Sequence, residues 1–145
     1  MESFQGVGAE WVILADHAEV LGGKLYLMGG GWETLTVNRP FPIDHPCAFA
    51  LALRIPWNET NRQLRVELEI LDQDGRENLF QFEGDIEVGR PAGIPAGQTQ
   101  RVQIAANFGL RIDRSGAFVI VVRIDGQDQA RSGFRVVEGP GLSSR

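Results

Sequence analysis

Residues 15–32 are Ala15-Asp16-His17-Ala18-Glu19-Val20-Leu21-Gly22-Gly23-Lys24-Leu25-Tyr26-Leu27-Met28-Gly29-Gly30-Gly31-Trp32. Two short runs of strand-forming residues flank Gly22-Gly23, and three further glycines precede Trp32. Glycine adopts the positive φ angles that tight turns between antiparallel strands need, so the first glycine pair predicts a β-hairpin. The second glycine run, Gly29-Gly30-Gly31, predicts a bulge or a close approach of another backbone, because it has no side chains to pack.

An alternation of apolar and small or polar residues continues along most of the chain, and no segment keeps a helical period. About eight short strands separated by Gly, Pro or Asp-Gly turns predict an all-β fold, a sandwich of two antiparallel sheets that is immunoglobulin-like or related. A partly open β-barrel is the alternative. The predicted core-facing sets are Phe49, Leu51, Leu53 and Ile55; Leu64, Val66, Leu68 and Ile70; Phe80, Phe82, Ile86 and Val88; Val102, Ile104, Ala106, Phe108 and Leu110; Phe118, Ile120, Val122 and Ile124; and Ala130, Phe134 and Val136.

The boundaries follow from the breaks in this pattern. A first strand covers residues 10–20, and a second covers residues 24–28 and resumes over residues 32–37. Three prolines in residues 38–46 predict a connecting loop, and the Gly- and Pro-rich residues 89–97 predict a loop long enough to cross from one sheet to the other or along an edge. Residues 1–138 are expected to form one domain, and residues 139–145 a flexible tail.

Composition excludes several classes of protein. The single cysteine, Cys47, cannot form an internal disulfide or a cysteine-based metal site. The net charge of −5 argues against a nucleic-acid-binding protein. No apolar run approaches the roughly 20 residues of a membrane helix, and Glu2 stands where a secretory signal has basic residues. We expect a cytoplasmic protein without a cofactor.

Charge is distributed unevenly along the chain. Residues 1–89 hold 15 Asp and Glu against 6 Lys and Arg, whereas residues 90–145 hold 8 Arg against 4 Asp and Glu. Either this asymmetry steers two copies together, or strands from the two halves lie side by side and their charges pair across the sheet. The second explanation is favoured, because a sandwich normally interleaves its halves.

A resemblance covers nearly the whole chain. The run Ala15-Asp16-x-Ala18-Glu19-Val20-x-x-Gly23-Lys24-Leu25-Tyr26-x-Met28-Gly29-Gly30-Gly31-Trp32, followed by Ile55-Pro56-Trp57 and Gly89-Arg90-Pro91, resembles a family of small bacterial proteins of unknown function. The resemblance implies a bacterial, cytoplasmic β-sandwich domain without an assigned activity. Separately, residues 110–118 with Asp125-Gly126 are similar to the late strand-turn-strand unit of immunoglobulin-like sandwiches.

The candidate functional residues cluster in the opening stretch. On a strand His17 and Glu19 share one face, so they are candidates for a metal site or an acid/base pair, with His45 as a third group. The alternative without a function is that Asp16 accepts hydrogen bonds from nearby backbone amides while His17 and Glu19 face water. Loop aspartates are a second candidate, for calcium: Asp72, Asp74, Asp113, Asp125 and Asp128. The full candidate cluster is Asp16, His17, Glu19, Lys24, Tyr26, Trp32 and Trp57.

Two strands carry apolar residues on the face opposite the core, where charged residues are expected. If these strands are neighbours, Ala48, Ala50 and Ala52 with Ala117, Val119 and Val121 form an interface for a protein partner or a second copy. Alternatively, the Pro-rich loops or the N-terminal segment of the same chain cover it. No nucleophile, base or metal triad has recognisable spacing, so we expect a non-catalytic interaction or structural module rather than an enzyme. The alternative is a metal- or small-ligand-binding domain that uses loop carboxylates.

Overall fold

The computed structural model describes residues 6–140, and the predicted tail beyond Pro140 lies outside the described residues. Nearly all of the described chain is β-structure, with one 3-10 turn at Trp57–Glu59. The strands are β1 (Gly8–Leu21), β2 (Lys24–Gly30), β3 (Thr34–Val37), β4 (Ile43–Ile55), β5 (Gln63–Asp72), β6 (Asn78–Glu87), β7 (Gln100–Ile112), β8 (Gly116–Ile124) and β9 (Gln127–Glu138).

Two sheets pack against each other, with strand orders β2-β1-β4-β7 and β3-β9-β8-β5-β6. The predicted all-β two-sheet fold is confirmed. The described chain has nine strands, close to the predicted number of about eight. One detail of the prediction is wrong, because β3 pairs with β9 in parallel, whereas antiparallel sheets were expected.

The core contains the predicted alternating residues. Phe49, Leu51, Leu53 and Ile55 on β4, together with the four predicted residues of β5, are fully buried between the sheets. Complete burial of one such side chain contributes about 1.5–3 kcal/mol. The outer strands β6 and β7 are less covered, and there Phe80 stacks on Phe108 with ring centroids 3.8 Å apart. Burial is therefore deepest along the central strands.

The Gly29-Gly30-Gly31 run is the corner at which the chain leaves one sheet for the other. Gly29 and Gly31 have φ angles of 63° and 78°, and the Gly31 N–H donates to the Leu14 carbonyl at 2.9 Å. The sequence predicted that the second strand resumes over residues 32–37. This is wrong, because β3 lies in the other sheet. The hydrogen bond to Leu14 is the predicted close approach of another backbone, and the side chains of Asp16 and Leu27 also occupy the space that Cβ atoms on Gly29 and Gly30 would need.

The boundary of β4 also differs from the prediction. The strand begins at Ile43 and includes Pro46, which lies opposite Gly109 of β7, although residues 38–46 were predicted to be a loop. Pairing of β4 with β1 ends at Ala48, so this end of β4 has a strand neighbour on one side only. A proline is tolerated where its missing N–H has no ladder partner.

The loop at residues 89–97 does join the edge strands of the two sheets, as predicted. Arg90 anchors it: its guanidinium lies 4.0 Å from the Trp57 ring centroid, and its Nε donates to Thr60 Oγ1 at 2.6 Å. Trp57 thus has a structural partner at the end of β4.

Ion pairs join the acidic first part of the chain to the arginines of the second. Arg101 lies 2.6 Å from Glu10, Arg114 lies 3.3 Å from Asp72, and Arg123 contacts Glu69. Acidic side chains of residues 1–89 thus pair with arginines of residues 90–145 within one chain, which agrees with the favoured explanation of the uneven charge. Exposed pairs of this kind contribute less than about 1 kcal/mol each.

Candidate functional site

Residues 16–30, named here the hairpin arm, fold over the outer face of β4 and β7. Ala18 packs there against Ala48 and Ala50, and the partly buried side chains of Trp11, Leu25, Leu27 and Ala105 surround this cluster. Gly22 and Gly23 form the predicted turn between Leu21 and Lys24. The arm is therefore a second layer over the sheet.

Two side-chain amides of β7 fasten the arm to the sheet. Asn107 Nδ2 donates to the Ala18 carbonyl at 2.8 Å, and Asn107 Oδ1 accepts the Ala18 N–H at 3.1 Å. Gln103 Nε2 donates to the Gly23 carbonyl at 3.1 Å, next to the turn. An amide suits this position because it supplies both a donor and an acceptor to one strand. The arm is thus held along its length.

The interface predicted from the outer residues of β4 and β8 is wrong as one surface. The two strands lie in different sheets, so their outer residues do not adjoin. Ala48, Ala50 and Ala52 are fully buried, two of them in the cluster beneath the arm. The same chain therefore covers them, as in the alternative, but the covering segment is the hairpin arm rather than a Pro-rich loop or the N-terminal segment. On β8, Val121 is also fully buried, and Val119 is half-buried.

The outer face of the arm carries exposed apolar side chains instead. Leu21, Tyr26 and Met28 are 58%, 52% and 67% exposed, and they are the large hydrophobic residues classed as exposed within residues 6–140. Cross-strand pairing places Glu19 beside Tyr26 and His17 beside Met28. We name these three apolar residues, with His17, Glu19 and Lys24, the docking face.

The structure brings four of the seven candidate residues onto this face: His17, Glu19, Lys24 and Tyr26. His17 Nε2 and Glu19 Oε2 are 2.7 Å apart, and both side chains are about half exposed. The other three candidates lie elsewhere, since Asp16 contacts Gly29, Trp57 stacks with Arg90, and Trp32 packs edge-on against Phe134 at 5.6 Å. The predicted sharing of one face by His17 and Glu19 is confirmed.

The loop aspartates do not gather at one end of the sandwich. Asp72 and Asp113 lie against Arg114, whereas Asp125 and Asp128 lie at the opposite end of the five-stranded sheet against Arg62 and Arg123. Within residues 6–140 no group of three or more His, Cys, Asp or Glu side chains is arranged to hold a metal. The single calcium site suggested by these residues is therefore wrong.

One grouping was missed by the sequence analysis, because its members are far apart in the chain. Asp16 acts electrostatically on both His45 and Cys47 of β4. Burial, reinforced by Asp16, raises the pKa of the Cys47 thiol to about 12. Since the thiolate is the reactive form of cysteine, this thiol is not activated as a nucleophile.

His45 makes stability depend on pH. Burial lowers its pKa, against an opposing effect of Asp16, and its Nε2 is buried without a hydrogen-bond partner among the described residues. As the pH falls, His45 is protonated at a higher pH in the unfolded chain than in the folded protein. The free energy of unfolding therefore decreases as the pH falls below the ordinary histidine pKa of about 6.5.

We expect His45→Gln to reduce this loss. Urea midpoints measured at pH 7.5 and 5.5 should fall less in the variant than in the wild type. His17 is present in both proteins, so any difference between their changes in urea midpoint is caused by His45. Equal changes in the two proteins would contradict the assignment.

An open groove crosses the outer face of β8 and β9. Its volume is about 440 Å³, and its lining includes Val119, Arg131, Gly133 and Arg135. Its size falls within the range of small-molecule sites, but such sites enclose most of their ligand. This open groove is thus a weaker candidate site than the docking face.

Comparison with known proteins places the chain in a family. The model of a family of unknown function, DUF6941, matches residues 10–137. The chain belongs to this family. The match includes all of the hairpin arm and both sheets, and the family carries no assigned activity. The finer sequence signature of residues 15–32 stays a prediction.

No curated protein matches the chain. Among solved structures, the chain is similar to Pseudomonas fluorescens alkylpurine DNA glycosylase AlkC bound to DNA containing an abasic site analog, with 13% identity and a TM-score of 0.41. The similarity covers 87% of this chain and 30% of that chain. Within residues 6–140, no helix is long and apolar enough to cross a membrane.

Proposed function

We propose that this protein is a non-catalytic interaction module that binds a protein surface through the docking face. The observation that carries the proposal is the position of Leu21, Tyr26 and Met28, which are all strongly exposed on one face of one hairpin. Scattered exposed hydrophobic residues are ordinary, whereas a contiguous group rimmed by polar residues is typical of an interaction surface. Tyrosine and methionine are both enriched at protein interfaces.

The packing and hydrogen bonds between the hairpin arm and the sheet favour the same function. Ala18, Leu25 and Leu27 pack onto the sheet, and Asn107 bonds both backbone groups of Ala18. The backbone that presents the apolar residues is therefore already ordered. A preformed surface loses less conformational entropy on binding than a flexible one.

The state of the buried thiol is consistent with a non-catalytic role. Burial holds the pKa of Cys47 at about 12. The exposed His17 and Glu19 side chains contact each other and lie beside Met28 and Tyr26 of the docking face. We therefore assign these two residues to the polar rim of the docking face.

Photo-crosslinking tests the proposal. Benzoylphenylalanine at position 28, irradiated in an extract of the source cells, should give a discrete protein adduct. The matched control places the same group at Gln81, which is exposed on β6. A second change, Leu21→Glu, should suppress the adduct at position 28, because it puts a charge into the apolar face. Identical adducts at both positions, or none at 28, would overturn the proposal.

Met28→Lys is expected to leave the fold intact. Met28 is 67% exposed, and substitutions at such positions usually change stability by less than about 0.5 kcal/mol. Urea unfolding should therefore give a midpoint close to that of the wild type. A large loss of stability would instead show that Met28 is needed for folding.

A further inference from the structure

We infer that the partner of the docking face is a second copy of this chain, joined by antiparallel pairing of β2 with β2. This inference rests on the proposed function and identifies its partner. β2 lies at the end of its sheet, and its described pairing is with β1 alone. An unpaired strand edge offers a row of backbone donors and acceptors to another strand.

The hairpin register determines which backbone groups are free. In a two-residue hairpin, the residues that flank the turn, here Leu21 and Lys24, bond to each other. Hydrogen-bonded and non-hydrogen-bonded pairs then alternate along an antiparallel ladder. Tyr26 and Met28 therefore direct their backbone groups to β1, whereas Leu25 and Leu27 direct theirs to the free edge.

These free groups select one register for the dimer. Beyond Met28 the strand loses its regular geometry, because Gly29 has a φ angle of 63°. The regular part of β2 is centred on Tyr26. A two-fold axis at Tyr26 pairs Leu25 of each copy with Leu27 of the other, so that all the free backbone groups of both residues find partners. Tyr26 then lies opposite its own copy, and Lys24 lies opposite Met28.

The side chains of the docking face are compatible with this arrangement. A two-fold axis perpendicular to the sheet keeps both docking faces on the same side, so the two Tyr26 and Met28 side chains form one continuous apolar strip. At each end of the strip, Lys24 of one copy lies opposite Met28 of the other, and His17 and Glu19 lie on the next strand, β1, of that other copy. The Lys24 ammonium and the Glu19 carboxylate are therefore near each other. A single short strand per copy buries little area, and we expect a weak dimer, with an interface under about 1,200 Å².

Disulfide trapping tests the register. Opposite residues in a non-hydrogen-bonded pair have Cα atoms about 4.5 Å apart, which a disulfide can span. Tyr26→Cys, oxidised in air with copper phenanthroline, should give a covalent dimer. Met28→Cys should give much less, because residue 28 faces residue 24 of the other copy, and adding Lys24→Cys should restore it. Buried Cys47 is common to all variants. Equal trapping at 26 and 28, or none at 26, would overturn the register.

Changing the charges at positions 24 and 28 tests the same register without oxidation, through the strength of the dimer. Met28→Lys places two lysines opposite each other across the dimer, so sedimentation velocity should show at least a tenfold weaker dimer. Lys24→Glu combined with Met28→Lys should recover it. Positions 24 and 28 are about 13 Å apart along one strand, so the recovery acts between copies. Failure of the second change to recover the dimer would contradict the pairing of these positions.

The outcomes separate the inference from the proposed function. If the photo-crosslinked adduct at position 28 contains a different protein and Tyr26→Cys stays monomeric, the second copy is wrong while the docking face stands. If neither experiment gives an adduct, and light scattering shows a strict monomer at high concentration, both proposals are wrong.

Discussion

Ala50→Arg is expected to destabilise the protein by at least about 3 kcal/mol, a large part of the stability of a domain of this size. Ala50 is fully buried between β4 and the hairpin arm, in contact with Ala18 and Ala48. An arginine has no room there, and its guanidinium would enter a cluster of apolar side chains. A charge buried among apolar side chains and an overfilled core are both strongly destabilising.

Urea unfolding, followed by tryptophan fluorescence and by circular dichroism, measures this effect. Ala117→Arg is the matched control, because Ala117 is half-buried on the outer face of β8 and lines an open groove. Trp11 packs against the alanine cluster, so its fluorescence reports on the arm. If Ala50→Arg is as stable as the control, the arm does not cover β4.

The sequence predicted the two-sheet fold because alternation is a local property of each strand. The core positions of β4, β5 and β8 follow from a period of two that packing between the sheets requires, and each predicted residue on them is buried. The crossing at residues 89–97 was predicted for a similar reason, since its glycines and prolines interrupt the period.

The position of the arm could not be predicted in the same way. Whether another layer covers the outer face of β4 depends on where β1 stops pairing with it, at Ala15 and Ala48. No local feature marks that point. The sequence did contain one signal, because three outward positions of β4 are all alanine, and small side chains allow a second layer to pack closely.

The candidate site was partly predictable for the same reason. His17 and Glu19 were placed on one face by their spacing, and the structure agrees. Tyr26 was in the predicted cluster, but the exposure of Leu21 and Met28 beside it depends on which face of the arm meets the sheet. The influence of Asp16 on His45 and Cys47 comes from tertiary structure alone.

Gly29→Ala should destabilise the protein by about 2–3 kcal/mol, because two costs combine at the corner between the sheets. The φ angle of 63° costs an alanine about 1–2 kcal/mol. In addition, the new Cβ would lie 2.8 Å from Asp16 Cγ, which requires the carboxylate or the corner to move. Gly22→Ala is the matched control: its φ angle is 57°, and a Cβ there meets nothing within 4 Å.

A double-mutant cycle separates the two costs. Asp16→Ala removes the carboxylate but keeps a Cβ 3.2 Å from the new methyl group, so in that background Gly29→Ala should cost only slightly more than Gly22→Ala does in the wild type, with a coupling of about 1 kcal/mol. Urea midpoints of the four proteins of the cycle give this coupling directly. A coupling near zero would mean that Asp16 moves aside freely, and the backbone angle alone would then explain why glycine occupies the corner from which the hairpin arm folds back over the sheet.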